Sequence, residues 1–556
     1  AAALAHLALS AHAVDFQVIA LGGTTALPFA TGASTSYQFG VRLSTIAEDG
    51  WVGFSPGTVN VASAFMVGEP GNVRRVVSGN DVLTIGTPSA LRSLRVDDGQ
   101  QVSLTLSVSA APAIHYHLVG QAAAGGTMLA KVASPSTTAV YNRSGTAAFE
   151  SLAGGRQLVS AASANLAQWD AATIGAGTPY TTLARTGTTT TRMLNLPGTG
   201  IPGVGTPATG LTWSVTSPLT PVEAVGGDAS GHTYLYGRTT GGTALVDARP
   251  DGQQVAVMFP GSTVPGHGVS GGIDPSRAQF ASSSTGYLTF RAATPAINNG
   301  LPGVGSILRY QAGATVASSS LQVVAEAGTV VPDLQIPGST VRLGHLMSIS
   351  PGAPYDTQPE LPILDAARGL AINDAGTIAF VSAATASPAS RGWGVFLVNA
   401  QGQLSTLAQT YNLYGQQAPG SNATWEKFHD VTINNQGLAV FSATLVGTDG
   451  RTGYWFGHNR SDVQALGIAG QQIEVLPGVF KTVSRLDTGL HELADLNTTS
   501  LDDGLNNAGQ FAFTVGFTDG TEAVLRTALV STVPEPSQAL LLLAGAGLLV
   551  WRRRLH

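Results

Sequence analysis

The chain of 556 residues contains no cysteine. That excludes disulfides, thiolate metal sites and a cysteine nucleophile. Charge is scarce too: Lys, Arg, Asp and Glu make up 11% of the residues, against a usual quarter. A net charge of −6 over this length leaves no basic face, so nucleic acid is not expected as a partner. Long apolar runs are also missing. The apolar stretch Ala539–Trp551 has thirteen residues, fewer than the roughly 20 of a comfortable membrane span. What is abundant is glycine, 69 residues, within a composition that is 43% hydrophobic. That hydrophobic content excludes disorder throughout. Abundant Gly, Ser, Thr and Ala with few Glu and Lys point to short strands and many turns.

One phrase recurs. Asn373, Gly376 and Phe380 stand in an Asn-x-x-Gly-x-x-x-Phe frame, repeated at Asn142/Gly145/Phe149, Asn434/Gly437/Phe441 and Asn506/Gly509/Phe513. Looser copies keep the Gly-to-Phe spacing at Gly50/Phe54 and Gly286/Phe290. Asn and Gly both tolerate positive φ, and an Asn side chain can bond its own backbone, so the frame predicts a turn entering a strand. After the Gly, a large residue alternates with a small or β-branched one: Ile378, Ala379, Phe380, or Val52, Gly53, Phe54. Such alternation at period two predicts a strand buried on both faces.

Two further phrases alternate with the frame. One is an apolar strand, a Gly and then a Pro, as in Gln17–Pro28, Val255–Gly266, Leu321–Gly338 and Ala465–Gly478. The other is a short apolar run such as Gly394–Val398, Gly453–Phe456, Ser306–Tyr310 or Ala523–Arg526. One module is thus three or four strands. Its Gly anchors fall at positions 50, 99, 145, 231, 286, 376, 437 and 509, with Gly99 and Gly231 degenerate. The reading is an all-β repeat architecture, a β-propeller of seven or eight blades, over residues 14–531. A string of β-sandwiches is the alternative. In a propeller, Val18–Leu21 and Ala523–Arg526 must meet in the same or adjacent blades.

The two ends differ from the body. Ala1–Ala13 is short and apolar and closes on Ala11-His12-Ala13, the small-x-small pattern of a signal-peptidase site. At the other end, residues 532–556 hold Pro534-Glu535-Pro536, the apolar stretch as a short transmembrane helix, and the basic cluster Arg552, Arg553 and Arg554. The arginines keep the terminus in the cytoplasm. These three elements in order resemble the PEP-CTERM sorting signal. The body is similar to the uncharacterised β-repeat regions of such exported proteins. The resemblance implies a membrane-bound exosortase as partner, transient anchoring in the inner membrane, removal of the helix, and delivery to the surface or matrix of a Gram-negative bacterium.

Candidates for chemistry are weak. Gly268-Val269-Ser270-Gly271-Gly272 beside His267 matches a nucleophile elbow, but Pro265-Gly266 precedes it and two glycines would break the helix it needs. His115 and His117 share one strand face, and could hold a metal only with a ligand from elsewhere. His429-Asp430 and His491-Glu492 are adjacent in sequence, so in a strand they point to opposite faces. Asp98-Gly99, Asp449-Gly450 and Asp519-Gly520 read as hairpin turns before they read as Ca²⁺ ligands. Trp393, Tyr454, Trp455 and Phe456 could stack on sugars if exposed, but suit blade-core packing better. No metal, cofactor or catalytic residue is expected. The expectation is a non-enzymatic surface or matrix protein with a structural, adhesive or polysaccharide-associated role. The rival is a propeller hydrolase or lyase, which should gather several carboxylates and a His at one mouth of the channel.

Overall fold

The computed structural model describes residues 14–23, 44–55, 64–78, 88–108, 114–122, 128–133, 148–152, 156–161, 181–186, 189–194, 223–264, 268–269, 279–292, 305–336, 339–344, 369–387, 390–413, 415, 417–447, 451–487 and 504–528. The N-terminal segment 1–13, residues 142–145 and everything after residue 528 lie outside them.

The described chain folds into eight blades of antiparallel strands. Blade one is Ser44–Ile46, Val52–Phe54, Ala64–Glu69 and Asn72–Ser78. Blade two is Pro88–Asp97, Gln101–Val108, Ile114–Gln121 and Met128–Ala133. Blades three, four and five span Ala148–Leu194, Glu223–Met258 and Phe280–Glu326. Blade six has Leu370–Ile372 inside, then Ile378–Ser387, Ser390–Val398 and Leu404–Gln409. Blade seven runs from Trp425–Ile433 to Gln464–Ile468. Blade eight is built around Gln510–Phe517 and Glu522–Ala528, and its outer strand is Asp15–Leu21 from the far end of the chain. Phe16 pairs with Thr527 and Gln17 with Arg526, so the ring closes as a propeller must. Inner strands touch from blade one to blade two and in succession from blade three to blade seven, and the inner strand of blade one meets blade eight. A string of sandwiches is therefore not what forms.

The frame is the hinge between the first and second strand of a blade. In each described copy the Gly N–H donates to the carbonyl three residues back, as Gly376 does to Asn373 at 2.9 Å. The N–H of that residue then bonds the carbonyl after the Gly, Asn373 to Thr377 at 3.0 Å. This is a type I turn followed by a residue in the left-handed region, a geometry that favours glycine. Gly376, Gly437 and Gly509 have φ of 78°, 80° and 78°, as the sequence leads one to expect.

The alternation after the Gly sets the direction of packing. Phe54, Phe290, Phe380, Phe441 and Phe513 are all fully buried. Each lies against the preceding blade: Phe441 with Val381 and Val395, Phe513 with Val440 and Phe456, Phe54 with Ala512 and Val524. The small residue before each Phe faces the following blade. A Cβ on Gly53 would stand 3.2 Å from Leu94 Cδ2 in blade two. Burying one such Phe stabilises by about 1.5–3 kcal/mol, and the frame repeats that contribution blade after blade.

The Gly-then-Pro phrase is the connector between blades. Val330–Ile336 pairs with Ser339–Leu343 ahead of blade six, and Gln472–Leu476 with Val479–Asp487 ahead of blade eight. In each hairpin the second arm joins the blade's second strand and the first arm reaches its outer strand.

Candidate functional site

The inner turns of the blades form one rim, held in two tiers. In the lower tier the frame Asn does two jobs. Its Oδ1 accepts from its own turn: in Asn434 from the N–H groups of Gln436 and Leu438, both at 3.0 Å. Its Nδ2 donates to the same position of the next blade: Asn373 to the Asn434 carbonyl at 3.0 Å, Asn434 to Asn506 at 3.1 Å, Asn506 to Ala47 at 2.9 Å. The three amides are buried. The ladder runs across four blades and through the closing seam.

The upper tier uses the residue that follows. Its backbone N–H donates to the side chain at the same position one blade on: Ser284 to Asp374, Asp374 to Asn435, Asn435 to Asn507, and Asn507 to Glu48, each at 2.8 Å. Asp49 and Asp98 continue the tier into blade two, where the Asp49 N–H meets Asp98 at 3.0 Å and the Gly99 N–H meets Asp49 at 2.9 Å. Glu48, Asp49, Asp98 and Asp374 thereby gather at one end of the strands. Partial burial and the nearby Asp98 hold the Glu48 carboxyl above its usual range, against the Asn507 donors. Among the described residues no group of His, Asp and Glu is placed to hold a metal ion.

Blades four to six are joined by larger polar side chains. Tyr234 donates to the Gly286 carbonyl at 3.0 Å, and Arg309 to the Gly376 carbonyl at 2.8 Å. Arg526 repeats that contact on Gly50 across the closing seam. These acceptors are all frame glycines. Arg291 is buried and donates to the carbonyls of Gly369 at 3.1 Å and Val381 at 2.9 Å; burial lowers its pKa to about 10. His232 Nδ1 lies 2.8 Å from Asp247, whose other oxygen accepts from Tyr310 at 2.8 Å. Arg249 lies beside Asp247 and donates to the Gly313 carbonyl at 2.9 Å. Burial, and then Asp247, push the Tyr310 hydroxyl upward. A His, a carboxylate and a Tyr in contact resemble catalytic machinery, but Asp247 and Tyr310 have no exposed surface.

The structure brings Asn373, Asn434 and Asn506 together with their glycines on the rim. Phe149 lies in a blade-three strand, paired with Val159. Pro534, Glu535, Pro536, Arg552, Arg553 and Arg554 lie outside the described residues, as do Asn142, Gly145, Ser270, His491, Glu492 and Asp449. The strand of His115 and His117 is described and their side chains are not. His429 bonds Thr444 at 2.7 Å, and Asp430 is buried. Trp393, Tyr454, Trp455 and Phe456 are buried too, so they are blade core and not a sugar platform. Asp519 sits in a hairpin turn, held by Lys481. Sequence reasoning missed the upper tier. Its signal was present in the position two before the frame Gly, which is Asp374, Asn435, Asn507 and Glu48.

Comparisons place the chain among known proteins. A family described as "Family of unknown function (DUF7453)" matches residues 120–540, and a PEP-CTERM protein-sorting motif matches residues 532–554. No curated protein matches. Among solved structures, the β-propeller domain of the Trilobed protease from Pyrococcus furiosus is 7% identical, with a TM-score of 0.34, over 80% of this chain and 100% of that one. The polysaccharide lyase Uly1 is 9% identical, with a TM-score of 0.35, over 83% and 94%. A prolyl endopeptidase is 13% identical at a TM-score of 0.40, and this chain spans 55% of its length.

Proposed function

We propose a function from one premise: the chain belongs to the DUF7453 family, and it carries a PEP-CTERM protein-sorting motif at residues 532–554. The motif marks an exported protein with a C-terminal sorting signal, and we read that signal as one recognised by an exosortase-type enzyme. In our reading the chain is anchored briefly in the inner membrane of a Gram-negative bacterium and then released to the cell surface or extracellular matrix. Its role there is structural or adhesive, with extracellular polysaccharide as partner, and it is not an enzyme. The observation that supports a scaffold is the use made of the rim. Glu48, Asp49, Asp98 and Asp374 each accept a backbone N–H from a neighbouring blade. Their oxygens join blade five to six, blade eight to one and blade one to two.

The sorting step is tested in the host. Pro fixes φ and biases the residue before it toward extended backbone, so Pro534-Glu535-Pro536 offers an extended segment for recognition. Replacing Pro534 and Pro536 with Ala should leave export intact while full-length protein accumulates in the inner membrane. Mature wild-type protein should end near Pro534–Pro536 by mass spectrometry. An intact His556 on protein released from the cell would refute the sorting role.

A second reading is a hydrolase or lyase working at the rim, favoured by the same gathering of carboxylates. The two separate in one assay. Purified protein mixed with host matrix polysaccharide should bind it and leave its chain length unchanged. Shortening of the polymer that is lost in Asp49→Asn would favour the enzyme.

A further inference from the structure

We infer that the rim of inner turns is the face this domain holds toward the membrane, and that the opposite strand ends face away from the cell. This rests on the sorting reading above. Strand Glu522–Ala528 is locked between two neighbours: Ala528 pairs with Asp15 on one side and Gln510 on the other. Gln510 directly follows the frame glycine Gly509, so the chain leaves the propeller at the rim. The same turn is tied to both neighbours, through Asn507 to Glu48 and through Asn435 to Asn507. The exit point is fixed by the ring itself.

Length does the rest. Six peptide steps separate Ala528 from Pro534 and eleven separate it from Ala539. At 3.3–3.6 Å per residue these reach at most about 20 and 40 Å. While the apolar stretch 539–551 is held in a bilayer, the rim cannot stand further than that from it. The other end of the blade is at Phe517 and Glu522, which pair with Val483 and Gly516. Beyond it stand Leu476, Val479 and Phe480, with Phe480 57% exposed. A strand of eight residues adds about 25 Å between the two ends. The exposed carboxylates Glu48, Asp49 and Asp98 are repelled by anionic headgroups, so the rim stands off the lipid and leaves Pro534–Pro536 within reach of an enzyme. Until the chain is cut at that motif, the rim is at the tethered end and the Phe480 end is what the surroundings meet.

The absence of cysteine makes a clean test possible. Full-length protein carrying Gln436→Cys, on an exposed rim tip, or Phe480→Cys is labelled with a donor fluorophore. It is then added to phosphatidylethanolamine–phosphatidylglycerol vesicles that contain an acceptor lipid. Flotation with the vesicles reads the membrane-anchoring premise; protein that does not float removes that premise and the inference with it. For protein that floats, energy transfer from the Gln436→Cys label should exceed that from the Phe480→Cys label at least twofold. Equal transfer, or stronger transfer from Phe480→Cys, overturns the orientation and leaves sorting standing. In the host, deleting residues 529–533 should abolish processing by drawing the rim over the motif, and fifteen Gly/Ser residues in their place should restore it. Normal processing of the deletion variant would equally overturn the inference.

Discussion

Two arcs of the ring solve one problem with different chemistry. From blade six through seven and eight to blade one, neighbours are joined by a small amide repeated at one position, Asn373, Asn434 and Asn506. From blade four to blade six the frame position holds Asp228 and Ser283, and Tyr234, Arg249, Arg291 and Arg309 carry the joint. In both arcs the acceptors include turn carbonyls of the next blade. The difference lies in what remains when the donor is removed. The Asn is also the acceptor that holds its own turn, so its loss strands the N–H groups of that turn, the Leu438 N–H among them buried. The Arg donates to carbonyls that can have other partners: Gly369 O already accepts the Val381 N–H at 3.0 Å.

The largest expected effect is the one the arcs share. Phe441→Ala and Phe290→Ala should each lower unfolding free energy by about 3–5 kcal/mol, since both rings are fully buried between blades. Urea titration checks this, and a much smaller loss in one arc would show that its blades are not packed by the frame. The next effect separates them. Asn434→Leu should cost about 2–4 kcal/mol, because the N–H groups of Gln436 and Leu438 lose their acceptor. Arg291→Met should cost at most about 1.5 kcal/mol, since it keeps the packing and removes a buried charge. The reverse order would break the comparison.

Glycine gives a finer cut. Ala at either Gly376 or Gly437 carries the strain of positive φ, about 1 kcal/mol or more. A Cβ on Gly437 meets nothing within 4 Å, whereas one on Gly376 comes 3.0 Å from Tyr287 in the irregular arc. Gly376→Ala should therefore be the more destabilising of the pair by thermal denaturation. The smallest effect concerns the outer end of blade eight. Hydrogen bonds from Lys481 and Thr521 lower the pKa of Asp519 to about 2. A depressed carboxylate contributes stability above its unfolded pKa and loses it as pH falls toward 2. Lys481→Met should move the Asp519 titration, followed by NMR, back toward 4, with little change in stability at pH 7 because the site is open to water.

How much of this was legible follows the same division. The Asn-x-x-Gly-x-x-x-Phe frame announced its turn, its strand and its two buried faces, because backbone φ and side-chain alternation are local properties. The closing strand could be expected only as a consequence of the propeller, since nothing in Asp15–Leu21 names Glu522–Ala528 as its partner. The second tier of the rim escaped notice because Asp374, Asn435, Asn507 and Glu48 share an acceptor oxygen and not an identity. The irregular arc was illegible for a stronger reason. Arg291, Arg309 and Tyr234 act on carbonyls, which every residue possesses, so their targets leave no mark on the sequence.

The ring is closed by two segments from distant parts of the chain, Asp15–Leu21 and Glu522–Ala528. Gln17 and Arg526 are register partners whose side chains touch, Arg526 Nε to Gln17 Oε1 at 3.0 Å. The double variant Gln17→Cys/Arg526→Cys introduces the only two thiols in the chain. On oxidation it should form one disulfide within each monomer, seen as a mobility shift on a non-reducing gel that reductant reverses. Thiols that stay free, or that join only between molecules, would contradict a closed eight-bladed ring.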